Sequence, residues 1–131
     1  MNRVLDASAL LAYLRKETGY ATIKDVFTEA AETGYPLLMS TVNWGEVVYV
    51  LIKAVGLEEA EHALQVIDTF PLELIPVSQE LAMQAAIYKA IKKLPYSDSF
   101  AAALARLRKA ELLTADKDFK AVDKEIKISW L

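Results

Sequence analysis

Short apolar runs alternate along the chain with longer segments in which apolar residues recur every three to four positions. The short runs predict buried strands and the longer segments predict amphipathic helices. The predicted strands cover residues 4–5, 37–39, 72–77, 112–114 and 126–130. The predicted helices cover residues 9–16, 23–33, 44–55, 60–67, 78–93 and 97–110.

This alternation is typical of an α/β protein whose parallel sheet is covered by helices on both faces. We therefore predict a three-layer α/β/α fold with a central parallel sheet of four to five strands. The length of 131 residues fits one domain, so residues 1–131 are expected to form a single unit.

The composition removes several classes of function. The chain has no cysteine, which excludes disulfides, zinc–thiolate sites and cysteine nucleophiles. The most apolar run, residues 47–52, is too short to cross a bilayer, and Asp6 interrupts the apolar start of the chain too early for a signal peptide. We expect a cytoplasmic protein that does not contact a membrane.

Four acids follow the predicted strands or open the predicted helices. Asp6 comes directly after the first strand, and Asp116 follows the fourth strand after one intervening residue. Glu46 and Asp98 lie near the starts of two helices. In a parallel α/β sheet these ends meet at one edge, where such folds place their sites. The four carboxylates are therefore expected to converge.

Converging carboxylates repel one another, so they recruit protons or cations. Oxygen ligands favour Mg²⁺ or Mn²⁺, and the single histidine, His62, lies mid-helix, which disfavours zinc. The net charge of −3 does not oppose a nucleic-acid substrate, because the chain without the four acids carries +1. Metal-assisted phosphodiester hydrolysis is the chemistry that this arrangement favours.

Each acid also has a purely structural interpretation. Asp98 suits a helix N-cap or first turn, Glu46 could close a capping box with Asn43, and Asp116 and Asp118 suit a turn. Asp6, directly after a buried strand, has no such evident structural need. The joint placement on one edge is what favours a site.

Four segments together resemble the PIN-domain family, most closely the VapC-type toxin ribonucleases of prokaryotic toxin–antitoxin pairs. These segments are Asp6-Ala7-Ser8, Asn43-Trp44-Gly45-Glu46, Tyr96-Ser97-Asp98 and Thr114-Ala115-Asp116-Lys117-Asp118-Phe119, and they span most of the chain in order. The resemblance implies a Mg²⁺- or Mn²⁺-dependent endoribonuclease with a PIN-like fold. Where the family often has alanines, Ser97 and Ser99 flank Asp98, and Ser97 could cap the helix.

By the same resemblance, Asp6 and Asp98 are expected as principal metal ligands, with Glu46 and Asp116 as ligands directly or through water. Ser8 and Thr114 match hydroxyl positions that would orient the acids, and the role of Asp118 stays open. The matching motifs therefore imply six site residues. Asp6, Glu46, Asp98 and Asp116 are expected to be catalytic and to bind the metal, and Ser8 and Thr114 are expected to support them.

The resemblance also implies partners: an RNA substrate, a small antitoxin protein that masks the acids, and a second copy of the chain in a homodimer. Other functions stay open from the residues alone. The same acids could serve a metal-dependent phosphatase, another phosphodiesterase or a flap-type nuclease, although Ser8 stands where an aspartyl phosphatase would have a second aspartate. A receiver-like phosphoacceptor or a catalytically weak RNA-binding module is the non-enzyme alternative.

Overall fold

The computed structural model describes residues 2–131. Its strands are Arg3–Leu5 (β1), Leu37–Ser40 (β2), Leu72–Ile75 (β3), Glu111–Thr114 (β4) and Ile128–Trp130 (β5). Its helices are Ala7–Leu14 (α1), Tyr20–Thr33 (α2), Thr41–Val55 (α3), Leu57–Ile67 (α4), Gln79–Lys92 (α5) and Tyr96–Arg108 (α6), and a 3₁₀ helix covers Lys117–Val122.

The five strands form one parallel sheet in the order β3-β2-β1-β4-β5. β1 lies at its centre, where Val4 is in register with Leu38 of β2 on one side and with Leu112 of β4 on the other. The chain first adds β2 and then β3 on one side of β1, and it then adds β4 and β5 on the other side. The parallel sheet predicted from the sequence is therefore confirmed.

Successive strand residues point to opposite faces of the sheet and build two separate cores. Leu5, Met39 and Leu113 belong to the core that packs under α1, α2, α3 and α4. Val4 and Leu112 belong to the core that packs under α5 and α6. The fold thus has the predicted three layers.

Helix α6 is the most deeply buried helix of the described chain, with residues 98–105 all inaccessible or nearly so. Its middle is alanine-rich at residues 101–103 and 105, and these small side chains let it approach β1, β2 and β4 closely. This close packing fixes the position of the first turn of α6 beside the ends of the central strands.

Two strand boundaries differ from the prediction for identifiable reasons. β3 ends at Ile75 because Pro76 has no backbone N–H to continue the ladder. Ile126 packs into the core from a turn, and β5 begins only at Ile128. Within residues 2–131, no helix is both long and apolar enough to cross a membrane.

Two glycines at the ends of α2 allow a test of the packing. Gly19 and Gly34 both have positive φ, but a Cβ on Gly19 would lie 2.8 Å from Cβ of Leu131, whereas a Cβ on Gly34 would meet no atom of residues 2–131 within 4 Å. We expect Gly34→Ala to lower the free energy of unfolding by about 1 kcal/mol for backbone strain. Gly19→Ala should cost about 2 kcal/mol or more because it adds a steric clash. Urea denaturation measures both, and equal losses would contradict the contact with Leu131.

Candidate active site

The candidate site lies where the strand order of the sheet reverses, between β1 and β4. Asp6 directly follows β1, and Asp116 follows β4 after one intervening residue. These two neighbouring strands leave the sheet in different directions, which opens a crevice at their carboxyl ends. Glu46, in the second turn of α3, and Asp98, in the first turn of α6, complete the set.

Asp6 is buried, and three donors surround its carboxylate. Thr114 Oγ1 donates to Oδ2 at 2.6 Å, and Ser8 Oγ donates to Oδ1 at 2.8 Å. The backbone N–H of Ala9 donates to Oδ1 at 2.9 Å, so Asp6 is also the N-cap of α1. The structural role that the sequence did not reveal for Asp6 is therefore a helix cap.

The two hydroxyls at Asp6 are themselves oriented by backbone groups of the β4 connection. Thr114 Oγ1 accepts from the N–H of Asp116 at 2.9 Å, and Ser8 Oγ accepts from the N–H of Ala115 at 3.0 Å. A hydroxyl has one proton, and the incoming N–H occupies a lone pair, so the proton of each is directed toward Asp6. The resulting network holds the end of β4 to the start of α1.

Opposing influences act on the pKa of Asp6. Burial, which is the largest influence, and the charge of Asp116 raise it, and the net result of all influences is a pKa of about 6 instead of 3.8. The hydrogen bonds from Thr114, Ala9 and Ser8 lower it, because they stabilise the ionised form. The donors therefore keep a buried carboxylate largely ionised at neutral pH.

Asp98 is buried without comparable compensation. Its Oδ2 atom has no hydrogen-bond partner among the described residues. Burial, followed by the hydrogen bond and charge of Asp116 and by the charges of Asp6 and Glu46, raises the pKa of Asp98 to about 8. A buried carboxylate oxygen among other acids needs either a proton or a cation.

Asp98, Asp116 and Asp118 form the tightest group of acids. Each offers one carboxylate oxygen, and the three oxygens lie within 4.8 Å of one another. Asp118, whose role the sequence left open, thus joins the group, while Asp6 and Glu46 act on Asp98 through their charges. An all-oxygen set of this kind is suited to Mg²⁺ or Mn²⁺.

Asn43 is a part of the site that sequence reasoning treated only as a possible cap. It is buried, and its Nδ2 donates to the backbone oxygen of Ser97 at 2.9 Å, which ties α3 to the first turn of α6. Its Oδ1 has no hydrogen-bond partner among the described residues. Its place in the segment Asn43-Trp44-Gly45-Glu46 was the only signal in the sequence.

The proposed capping box between Asn43 and Glu46 is wrong. The N-cap of α3 is Ser40, whose Oγ accepts from the N–H of Val42 at 3.2 Å. The chain passes from β2 into α3 without a loop, so the helix begins earlier than the pattern indicated. Glu46 therefore lies in the second turn, where capping does not explain its charge.

Of two other residues that could cap a helix, one does so and one does not. Ser97 is not the cap of α6, since the N-cap is Pro95 and Ser97 is the second residue of the helix. Asp116 does cap the 3₁₀ helix, because its Oδ1 accepts from the N–H of Asp118 at 2.9 Å. This bond holds Asp116 in place and leaves its second oxygen available for another ligand.

A comparison with protein families matches residues 3–125 to the PIN domain. The chain belongs to the PIN domain family. The match covers all the acids of the site, from Asp6 to Asp118, and agrees with the resemblance found in the motifs. No curated protein matches the chain significantly.

Solved structures share this PIN fold at low sequence identity. DNA-bound VapBC from Salmonella typhimurium matches with a TM-score of 0.78 and 16% identity, over 98% of this chain and 97% of that chain. VapBC2 from Rickettsia felis, bound to a promoter DNA fragment, matches with a TM-score of 0.79 and 16% identity over 100% and 99%. VapC20 from Mycobacterium tuberculosis, described as a Sarcin-Ricin loop cleaving toxin, matches with a TM-score of 0.73 and 18% identity over 92% and 95%.

The burial of Asp98 predicts an unusual pH dependence of stability. Its pKa in the folded protein lies above its unfolded value of 3.8, so the folded state binds more protons than the unfolded state and stability falls as the pH rises from about 4 to about 8. Asp98→Asn removes this loss, and we expect the metal-free variant to be more stable than wild type at about pH 8 by about 1 to 3 kcal/mol.

Thermal unfolding in EDTA across this pH range measures the effect. The advantage of Asp98→Asn should shrink toward about pH 4.5, where the wild-type carboxyl is protonated in the folded state. The exposed Asp25→Asn on α2 is the matched control and should show no such trend. A constant difference between Asp98→Asn and wild type at all pH values would contradict the buried, destabilising charge.

Proposed function

We propose that this PIN domain is a Mg²⁺- or Mn²⁺-dependent endoribonuclease and the toxin component of a type II toxin–antitoxin pair. The observation that carries the proposal is the buried Oδ2 of Asp98. This oxygen lies beside Asp116 and Asp118 and lacks a hydrogen-bond partner within residues 2–131. A structural cap or turn has no use for such an oxygen. A divalent cation among three carboxylates does.

The residues fit a divalent ion by type and by position. Asp98, Asp116 and Asp118 would hold it, with Asp6 and Glu46 adding negative charge directly or through water. When bound, such an ion supplies a water of lowered pKa and charge stabilisation at a phosphodiester. Because the pKa of Asp98 is raised, protons compete for its carboxylate, so metal affinity is expected to fall as the pH drops below about 8.

The residues of the chain have separate tasks in this proposal. Thr114 and Ser8 keep the carboxylate of Asp6 ionised and fixed in the crevice. Asn43 holds the first turn of α6, and with it Asp98, against α3. The network therefore positions charges before a substrate arrives, which is how metal nucleases lower the cost of reorganisation.

We propose an RNA substrate and an antitoxin partner from the fold relatives. VapC20, described as cleaving the Sarcin-Ricin loop, shares the fold, and several other neighbours are VapBC toxin–antitoxin complexes. An antitoxin would act by covering the crevice between β1 and β4, and the pair would reside in the cytoplasm.

Hydrolysis of RNA by the purified chain should require added Mg²⁺ or Mn²⁺ and stop in EDTA. Asp6→Asn and Asp98→Asn should lower kcat at least about a hundredfold, because each removes charge that the metal and the transition state need. Asp25→Asn, an exposed aspartate of α2, should keep full activity. Circular dichroism would establish that the variants fold.

RNA, DNA and p-nitrophenyl phosphate serve as parallel substrates in this assay. Cleavage of RNA alone supports the proposal. Cleavage of flap DNA or of the small ester with RNA intact would assign the same acids to another phosphodiesterase or to a phosphatase. Full RNA cleavage by Asp98→Asn would refute the metal-site assignment.

The hydroxyl of Thr114 gives a more delicate test of the network. Thr114→Val keeps the shape of the side chain but removes the donor to Asp6 and the acceptor for the N–H of Asp116. We expect activity to fall about 10- to 100-fold, as for other groups that orient metal ligands. Thr114→Ser retains the hydroxyl and should recover most of the activity; equal losses in both variants would show that the hydrogen bond is not the cause.

A further inference from the structure

Charge is divided unevenly along the chain. Residues 1–88 contain five basic and twelve acidic side chains, whereas residues 89–131 contain ten basic and six acidic ones. Three of those six acids, Asp98, Asp116 and Asp118, belong to the candidate site. The second part comprises the end of α5 together with α6, β4, the 3₁₀ helix and β5. Outside the site this part of the domain is therefore basic, although the whole chain carries −3.

A cavity of about 530 Å³ brings several of these cations together. Its wall includes Arg106 and Lys109 at the end of α6 and Lys127 just before β5. Lys109 is exposed and has no carboxylate within 4 Å elsewhere in the described chain. The cavity lies at the edge of the sheet where β4 and β5 begin, opposite to the edge that carries the carboxylates. We call it the basic cavity.

The two acids in the wall of the basic cavity are both neutralised by cations. Oε2 of Glu111 lies 3.2 Å from Nζ of Lys127. Oε2 of Glu125 lies 3.2 Å from Nζ of Lys92, and its Oε1 lies 3.7 Å from Nη1 of Arg106. The positive charge that remains is available to an anionic ligand such as a phosphate group.

An exposed tryptophan lies at the other end of β5. Trp130 is 42% exposed and is in register with Thr114, whose hydroxyl donates to Asp6. Side chains two positions apart in a strand point to the same face, and Ile128 and Leu112 both pack into the core under α5 and α6. Trp130 therefore continues the row of Asp6 and Thr114 across the sheet. It lies two strands from Asp6, which corresponds to about 10 Å.

β5 connects the basic cavity to the candidate site. It is an edge strand, so one side of its backbone faces away from the sheet. The path from Lys127 to Trp130 covers about 10 Å along the strand. A basic groove and an exposed aromatic ring on one track are the two features with which proteins hold single-stranded nucleic acids.

We propose that β5 and the basic cavity form a binding site for unpaired RNA outside the crevice of the carboxylates. Trp130 stacks on a base beside the candidate site, and Lys109 and Lys127 bind phosphates of nucleotides farther along the strand. The identity of the ligand rests on the proposed ribonuclease function, to which the inference adds the path of the RNA away from the site. An acidic protein segment would match the cations but not the flat ring, which suits a base.

The fluorescence of Trp130 tests the stacking directly. The chain has two tryptophans, so Trp44→Phe leaves Trp130 as the only one. In EDTA, titration with a single-stranded RNA of about ten nucleotides should quench this fluorescence. A duplex of the same sequence should not, because its bases are already stacked on one another. Equal quenching by the duplex, or no quenching by the single strand, would overturn the stacking.

Substitution of the ring tests its contribution to affinity. Trp130→Ala should weaken RNA binding about tenfold or more, as for other aromatic side chains that stack on bases. Trp130→Phe keeps an aromatic ring and should recover most of the affinity. Tyr49→Ala on α3 is the matched control, because Tyr49 is 56% exposed and lies outside the proposed site. Polarisation of a labelled RNA measures all four proteins, and equal affinities for wild type and Trp130→Ala would contradict the proposal.

Salt dependence tests the phosphate contacts. For single strands, each phosphate that a cation neutralises adds about 0.7 to the slope of log K against log salt concentration. Lys109→Gln and Lys127→Gln should each reduce the slope by about this amount. Lys24→Gln, at an exposed lysine of α2, is the matched control and should leave the slope unchanged. Wild-type slopes in both cavity variants would overturn the role of the basic cavity.

Failure of this inference can be distinguished from failure of the proposed function. In cleavage assays Lys109→Gln should raise KM and leave kcat unchanged, because Lys109 lies far from the reacting atoms. RNA cleavage by wild type, with binding unaffected by the changes at Trp130, Lys109 and Lys127, would refute the β5 site alone. RNA bound through these residues but never cleaved would refute the ribonuclease alone. A chain that neither binds nor cleaves RNA would refute both.

Discussion

The repulsion between carboxylates at one edge of the sheet is the constraint to which the surrounding structure is adapted. Like charges a few ångströms apart cost several kcal/mol unless something offsets them. At Asp6 the offset is internal, since two hydroxyls and a backbone N–H donate to the carboxylate. For Oδ2 of Asp98 there is no such donor within residues 2–131. The pKa of Asp98 is therefore raised further than that of Asp6, to about 8 compared with about 6.

The fold makes this concentration of charge mechanically possible. α6 is anchored by its alanine-rich core against the central strands, and Asn43 fixes its first turn to α3. A helix held this firmly cannot turn Asp98 toward solvent to relieve the repulsion. The rigidity of the hydrophobic layers therefore keeps the site poised for a cation, at some cost to the stability of the metal-free protein.

The large features of this arrangement were predictable from the sequence. Acids at strand ends share one edge of a parallel sheet, so the sequence alone predicts that Asp6 and Asp116 converge. Their hydrogen-bond partners and the tight group around Asp98 were harder to predict. Whether Asp118 turns toward Asp98 depends on the first turn of the 3₁₀ helix, which periodicity does not specify. The pattern predicts too late a start for α3, because Ser40 is both the last residue of β2 and the N-cap of α3.

The hydrogen bond from Thr114 to Asp6 joins residues separated by 108 positions in the chain. It forms only when β4 has paired with β1, which is among the most sequence-distant events in the assembly of the sheet. During synthesis, a chain completed only as far as β3 contains Asp6 and Glu46 but neither Asp98, Thr114 nor Asp116. The carboxylate group is thus assembled only after translation has passed β4, and a nascent chain that ends before Asp116 has no complete active site.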